Sequence, residues 1–141
     1  MPPLWLALAV GFAGALGAVA RYGLAEWVAL RWRQVFPLAT FIINISGAFA
    51  LGLLYTVGTA HILIASTPVA HGTAVSATWK MWRIVLGTGF LGGYTTFSTL
   101  SFETTALARR GRTAAAWLNA LGTLAASLLA VAAGIALGNA L

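Results

Sequence analysis

The sequence contains no cysteine and only two acidic residues, Glu26 and Glu103, in a chain of 141 residues. Without cysteine the chain can form no disulfide bond and offers no thiolate to a metal ion. So few acids leave no nucleophile paired with a base, and we expect no catalytic site and no enzyme activity. The two histidines, His61 and His71, are ten residues apart with no carboxylate nearby. We interpret them as loop residues and not as a metal-binding pair.

Charged residues make up only 7% of the chain, whereas hydrophobic residues make up 60%. Because a soluble domain carries about 25% charged residues, the composition indicates an integral membrane protein. The net charge is +6. The lysines and arginines stand at the ends of apolar runs and form no continuous patch, so we expect no nucleic-acid partner. The chain also lacks the glycine-rich phosphate loop of ATPases, which argues against ATP-driven transport.

Four apolar segments are each long enough to cross a bilayer as a helix. We predict these helices at about residues 4–25, 38–60, 82–108 and 113–138. Together they form a single transmembrane domain over 1–141. The segment 61–78 is predicted to be mainly loop, because it is rich in Thr, Ser and Ala and contains Pro68 and Gly72. In the first helix Gly11, Gly14 and Gly17 form a face that lets another helix approach closely. One such bundle is too thin to enclose a pathway, so oligomerisation is expected.

The basic residues of the loops give an estimate of orientation. Five are expected on one side of the membrane and two on the other. The five are Arg31, Arg33, Arg109, Arg110 and Arg112, and the two are Lys80 and Arg83. The positive-inside rule then places both termini outside, but the margin of three is small enough for both orientations to be populated.

The most unusual stretch is 92–101, Gly-Gly-Tyr-Thr-Thr-Phe-Ser-Thr-Leu-Ser, inside the apolar run from Ile84 to Phe102. The glycine pair weakens the helix about 12–15 Å from the start of that run, near the middle of a bilayer core of about 30 Å. Five hydroxyl side chains follow in six non-aromatic positions, and they can bond to backbone groups that a break frees. In lipid, such a break survives only where it is buried in protein or lines a wet cavity. We therefore predict a third helix broken near mid-membrane, at a candidate ion site.

Polar residues elsewhere in the apolar runs allow two interpretations each. Asn44 either bonds to a neighbouring helix or donates hydrogen bonds to a permeant anion. Arg21 either reaches the membrane interface beside Tyr22 or holds an anion at the mouth of a pathway. Glu103 either pairs with an arginine or belongs to such a pathway.

The last helix carries Asn119, Thr123 and Ser127 at intervals of four residues, which places them on one helix face. Such a ladder is either a hydrogen-bonded seam between helices or a polar track for a solute, and the spacing alone does not decide between the two.

Three segments taken together resemble the Fluc/CrcB family of fluoride channels over nearly the whole chain. They are Gly-Ala-x-x-Arg-Tyr at 17–22, Asn44 with Gly47, and Gly-Phe-Leu-Gly-Gly-Tyr-Thr-Thr-Phe-Ser-Thr at 89–99 followed by Glu103. The resemblance implies a fluoride-selective passive channel, multi-pass in the cell (inner) membrane, that exports cytoplasmic fluoride and relieves its toxicity. It further implies an all-α, antiparallel, dual-topology homodimer with two pores between its subunits.

The resemblance also implies roles for single residues. The backbone carbonyls of Gly92 and Thr95 would hold a structural sodium ion at the dimer centre. The residues implied in the anion pathway are Arg21, Asn44, Phe97, Ser98, Thr99, Glu103, Thr123 and Ser127. Two positions depart from the family's pattern: Leu100 replaces its usual second pore phenylalanine, and Asn119 replaces a frequent tyrosine. We expect the anion to be solvated differently at Leu100, with Asn119 or neighbouring hydroxyls taking part.

Two other classes compete with a channel. A small multidrug-type proton-coupled exporter shares the length and the four helices, but it needs a carboxylate within the first membrane helix, and residues 4–20 contain none. A structural membrane protein would use its buried Ser, Thr and Asn residues only to hold helices together.

Overall fold

The computed structural model describes residues 3–32, 34–65 and 72–140, with the backbone alone for 58–65 and 72–77. The described chain is all-helical. Its helices are α1 (Leu4–Arg31), α2 (Leu38–Ala65), α3 (72–94), α4 (Phe97–Arg109) and α5 (Thr113–Ala140). Helix α3 begins as a regular helix at Gly72–Arg83, widens into a π-helical segment at Ile84–Leu91 and ends with Gly92–Tyr94. Helices α3 and α4 are the two parts of the predicted third helix, so the prediction of four helices with an interrupted third is confirmed.

Helix α1 continues to Arg31, six residues beyond the predicted end at residue 25. No glycine or proline stops it there, and its last turn has partners for its carbonyl groups. The guanidinium of Arg31 donates to the Trp27 carbonyl and stacks on the Trp27 ring at 4.2 Å, while the Trp32 amide bonds to the Val28 carbonyl. These contacts satisfy groups that a helix end otherwise leaves unpaired. The extension brings Glu26 into the final turns of the helix.

The predicted loop at 61–78 is wrong for most of its length. Helix α2 runs on to Ala65, which includes His61, and α3 starts at Gly72, ten residues before the predicted start at residue 82. Of the two strong helix breakers of this segment, Pro68 lies between the end of α2 and the start of α3, and Gly72 is the first residue of α3, so neither falls in the interior of a helix extension. Ala, Thr and Ser are compatible with a helix once no breaker intervenes. His71 and Arg33 lie outside the described residues.

Glycines set the packing of α1 on α3. Gly17 lies against the Phe90 carbonyl, Gly93 lies against the backbone of Gly14, and Gly89 lies against Val10. Of the predicted glycine face, Gly14 and Gly17 make close contacts, whereas nothing surrounds the Cβ position of Gly11 within 4 Å. Small residues thus bring the two backbones together, as is common between membrane helices.

The outer surface of the protomer is apolar. Within the described part of the chain, three helices are long and hydrophobic enough to cross a membrane, at Leu4–Arg31, Leu38–Val57 and Thr113–Ala140. Large apolar side chains point outward from them, including Phe12 at 69% exposure and Leu129 at 73%. A surface of this kind is stable in hydrocarbon, and the chain is accordingly a multi-pass membrane protein.

Candidate functional site

The helix interruption lies at Thr95 and Thr96, both of which have extended backbones. The glycine pair before them remains helical: Gly92 has φ −64° and ψ −38°. The interpretation that the glycines themselves break the helix is therefore wrong. The β-branched threonines suit an extended backbone better than most residues do. Gly93 instead allows the close approach of α1 at Gly14.

Thr96 caps the N-terminus of α4. Its hydroxyl accepts a hydrogen bond from the Thr99 amide at 3.2 Å, which satisfies one of the free amides of the first turn. The same hydroxyl lies 3.2 Å from the Ser98 hydroxyl and 3.0 Å from the Thr99 hydroxyl. Three of the five hydroxyl residues predicted to serve the break are therefore in one hydrogen-bonded group.

The side chain of Asn44, on α2, is hydrogen-bonded to the backbone of the break. Its Oδ1 accepts from the Thr96 amide at 2.9 Å, and its Nδ2 donates to the Thr96 carbonyl at 3.1 Å. This pair of bonds replaces the backbone partners that a helix would have supplied, so Asn44 joins α2 to the break. A carboxamide has two N–H donors, and only one of them is used on Thr96. The second hydrogen of Asn44 remains for another acceptor.

The interruption removes the ordinary donors of several carbonyl groups, and two of these are the carbonyls of Gly92 and Thr95. In an unbroken helix the Thr96 amide would donate to the Gly92 carbonyl and the Thr99 amide to the Thr95 carbonyl. Here those amides donate to Asn44 and to the Thr96 hydroxyl. Gly92 and Thr95 are the residues that the family resemblance assigns to sodium. Carbonyl oxygen is a suitable ligand for a hard cation.

The three ladder residues of α5 have two different surroundings. Asn119 is fully buried, and its Nδ2 donates to the Thr104 hydroxyl of α4 at 2.9 Å. This bond makes Asn119 part of a seam between α4 and α5. Thr123 and Ser127, by contrast, line a cavity, and the buried hydroxyl of Thr123 has no hydrogen-bond partner among the described residues. The seam interpretation therefore holds for Asn119, and the polar track stays a prediction for Thr123 and Ser127.

Glu103 bonds to a hydroxyl. Its Oε1 accepts from Thr40 at 2.9 Å, and its Oε2 is buried without a hydrogen-bond partner in the described chain. The observed partner of Glu103 is therefore Thr40 and not the arginine that one of the two interpretations expected. Thr40 lies one turn before Asn44 on α2, a spacing that could have indicated its part in the site from the sequence.

The cavity beside the break has a volume of about 730 Å³ and lies between α2, the break and α5. The predicted residues that line it are Asn44, Gly92, Thr95, Phe97, Leu100, Thr123 and Ser127. The predicted residues that do not line it are Arg21, Ser98, Thr99, Glu103 and Asn119. Thr104 also lines it and was not predicted, although its spacing of one turn from Leu100 places both on one face of α4.

Phe97 is the most exposed large apolar residue of the site, at 80%. It is the first residue of α4 and stands at the wall of the cavity. An aromatic ring has a partially positive edge that can face an anion. Within the single chain, few side chains pack against the Phe97 ring.

The fold and the site define a class: a multi-pass helical membrane protein whose interrupted helix opens beside a mainly apolar cavity that also has hydroxyl and amide groups in its wall. The chain belongs to the family described as CrcB-like protein, Camphor Resistance (CrcB), whose model matches residues 8–135. This is a family of ion channels, and the expectation that the chain is not an enzyme is confirmed by this membership.

Named relatives match almost end to end. A protein of Acidobacterium capsulatum named fluoride-specific ion channel FluC is 40% identical over 139 residues, which cover 99% of this chain and 97% of the relative. The fluoride-specific ion channel FluC 1 of Leifsonia xyli subsp. xyli is 41% identical over 139 residues, or 99% of this chain and 90% of the relative. A FluC of a Roseiflexus species is 36% identical over 136 residues, or 96% and 97%.

Proposed function

We propose that this protein is a fluoride-selective passive channel that lets cytoplasmic fluoride leave the cell. The observation that carries the proposal is the cavity beside the Thr95–Thr96 break, whose mainly apolar wall includes a few neutral donors, in a chain related to fluoride channels. Hydroxyl and amide hydrogens can replace the water around a small anion. The second amide hydrogen of Asn44 and the unpaired hydroxyl of Thr123 are such donors. The Phe97 edge adds a further weakly positive surface.

Passive export needs no energy source, and the chain has none of its own. Hydrogen fluoride is neutral and enters across the bilayer from an acidic medium, after which it dissociates inside. The trapped anion then leaves through the channel down its electrochemical gradient. A channel of this kind relieves fluoride toxicity without a proton-binding carboxylate.

The working unit is an antiparallel homodimer of two copies inserted in opposite orientations. If the cavity were open to hydrocarbon, its few free polar groups, such as the Thr123 hydroxyl, would stay unsatisfied, and a second copy would cover it. The exposed Phe97 at the cavity wall supplies apolar surface for that contact. The small difference in basic residues between the two sides permits insertion both ways. Inverted pairs of this kind are also the basis of larger transporters.

A structural sodium ion lies at the centre of that dimer, held by the carbonyls of Gly92 and Thr95. Support comes from the two amides that the break diverts, since their diversion removes the usual donors of these two carbonyls. A bound sodium ion supplies positive charge that fixes the two breaks against each other. Asn44 and the Thr96 hydroxyl keep both carbonyls available by engaging the competing amides.

The proton-coupled exporter is not favoured. Helix α1 does contain Glu26, but only in its final turns, away from the membrane centre where such an exporter binds its proton. Family membership also places the chain among channels.

Fluoride efflux from liposomes tests the proposal. Liposomes with the purified protein are expected to release fluoride at least about 100-fold faster than chloride. This ratio corresponds to a difference of about 2.7 kcal/mol in barrier height. A fluoride electrode follows the release. Protein-free liposomes are the control for leakage. Equal release of the two anions, or no release of either, would contradict the assignment.

Leu100 tests whether a second aromatic ring is needed. The Leu100→Phe variant is expected to retain fluoride efflux within about threefold of the original protein, because Leu100 already lines the cavity and the added ring offers another positive edge. The same electrode assay measures it. A complete loss of efflux in a folded variant would show that the aromatic arrangement of the family does not apply to this chain.

A further inference from the structure

A second cavity, of about 530 Å³, lies between α2 and α3. We call it the basic cleft. Its apolar lining comes from Leu51, Leu54, Ile84 and Gly87, and its polar lining comes from Tyr55, Lys80, Arg83 and Thr88. The lining is therefore amphipathic, with two positive charges over an aliphatic floor.

Arg83 is held in a defined orientation at this cleft. Its guanidinium lies 4.6 Å from the centre of the Tyr55 ring. Stacking of this kind uses the face of the guanidinium and leaves its N–H groups, which lie in the plane, able to bond to oxygen atoms. Arg83 is thereby prepared to bind an oxyanion such as a phosphate.

The chain itself provides little negative charge to balance Lys80 and Arg83. It has eight lysines and arginines and two acidic residues, and one of those acids, Glu103, is bonded to Thr40. Most of its basic side chains must therefore take a counter-ion from outside the protein.

The position of the cleft matches the level of lipid headgroups. Tyr55 is 58% exposed and Trp82, beside Arg83, is 53% exposed. Exposed Tyr and Trp residues of this kind mark the membrane interface. Along α3 the basic residues come first and Ile84 and Gly87 follow, so the charge lies at one end of the cleft and the aliphatic surface at the other.

We propose that the basic cleft binds an anionic phospholipid, with its phosphate at Lys80 and Arg83 and the start of an acyl chain on Leu51, Leu54 and Ile84. Basic pockets between membrane helices bind lipid headgroups by this chemistry. A bare hydrated anion would gain nothing from the aliphatic floor, whereas a lipid uses both ends of the cleft. Leu51 and Gly87 line both cavities, so the cleft adjoins the cavity beside the break, but the proposal does not rest on the proposed function.

Lipid binding to the purified full-length protein, measured by native mass spectrometry, tests the proposal. Dioleoyl phosphatidylglycerol is compared with dioleoyl phosphatidylcholine, which has the same acyl chains and no net charge. Each basic residue near an anionic headgroup contributes about fivefold in affinity, so two contribute about 30-fold. The protein is therefore expected to prefer phosphatidylglycerol by about 30-fold, and the Lys80→Gln/Arg83→Gln variant is expected to lose that preference.

A matched variant controls for total charge. Arg110→Gln/Arg112→Gln removes the same charge from the exposed turn before α5 and is expected to keep the preference within about threefold. Tyr55→Leu keeps both charges, removes the ring under Arg83 and is expected to reduce the preference several-fold. Equal loss in both double variants would overturn the proposal by showing a nonspecific charge effect. Displacement of the lipid by inorganic phosphate would also overturn it. An unchanged preference in the Lys80→Gln/Arg83→Gln variant would do the same, and it is the result expected if a second copy of the chain fills the cleft.

Discussion

Replacing Asn44 with leucine is expected to lower fluoride efflux by about 100-fold or more. Leucine branches at the same carbon as asparagine but offers no partner to the Thr96 amide and carbonyl, which Asn44 bonds at 2.9 and 3.1 Å. Each backbone group left unpaired in a buried place costs about 1–3 kcal/mol. A cost near 3 kcal/mol would reduce the population with the correct break about 100-fold. Efflux from liposomes, with the variant's oligomeric size measured in detergent, gives the result.

Ser46→Ala is the control for Asn44. Ser46 lies on the same helix, and its hydroxyl donates to the Ile42 carbonyl of its own helix at 2.8 Å and lies 2.9 Å from the Tyr94 hydroxyl. Neither contact holds the Thr95–Thr96 backbone, so efflux is expected to change by less than about threefold. If Asn44→Leu retained its efflux in a correctly assembled protein, Asn44 would not be needed to hold the break.

The second large effect is expected from Gly17→Ala. A methyl group at Gly17 would overlap the Phe90 carbonyl and lie within 2.9 Å of the Tyr94 amide, which are both backbone atoms that cannot turn away. Helix α1 would have to move off α3, and overpacking of this kind costs roughly 3 kcal/mol at the upper end of the usual range. The thermal unfolding temperature in detergent is expected to fall by about 10 °C or more, since 1 kcal/mol corresponds to roughly 2–8 °C in proteins of this general size.

Gly11→Ala is the matched control, because it adds the same methyl group to the same helix. Nothing lies within 4 Å of its Cβ position, and alanine favours a helix over glycine by up to about 1 kcal/mol. We therefore expect its unfolding temperature to be unchanged or slightly raised. Equal destabilisation by Gly11→Ala and Gly17→Ala would show that the α1–α3 contact is not set by glycine as the structure has it.

Residue properties that act locally were predictable from the sequence. The apolar runs, the scarcity of charge and the hydroxyl-rich stretch at 92–101 were enough to predict a helical membrane protein whose third helix is interrupted. Helix ends were less predictable. Helix α1 exceeds its predicted end because Arg31 and Trp32 supply bonds at its terminus, and such bonds depend on conformations that composition does not report.

The sequence by itself determined that the chain is a membrane protein and that its third helix is interrupted within residues 92–101, because both follow from transfer energies and from the properties of neighbouring residues. Only the tertiary structure decided that the break falls at Thr95 and Thr96, with Gly93 used for close packing on α1. It also decided that Asn119 bonds to Thr104 while Thr123 faces the cavity. The physical reason is that lipid offers no hydrogen bonds, so each freed backbone group needs a partner from the protein. The partner of Thr96 is Asn44, 52 residues away in the chain.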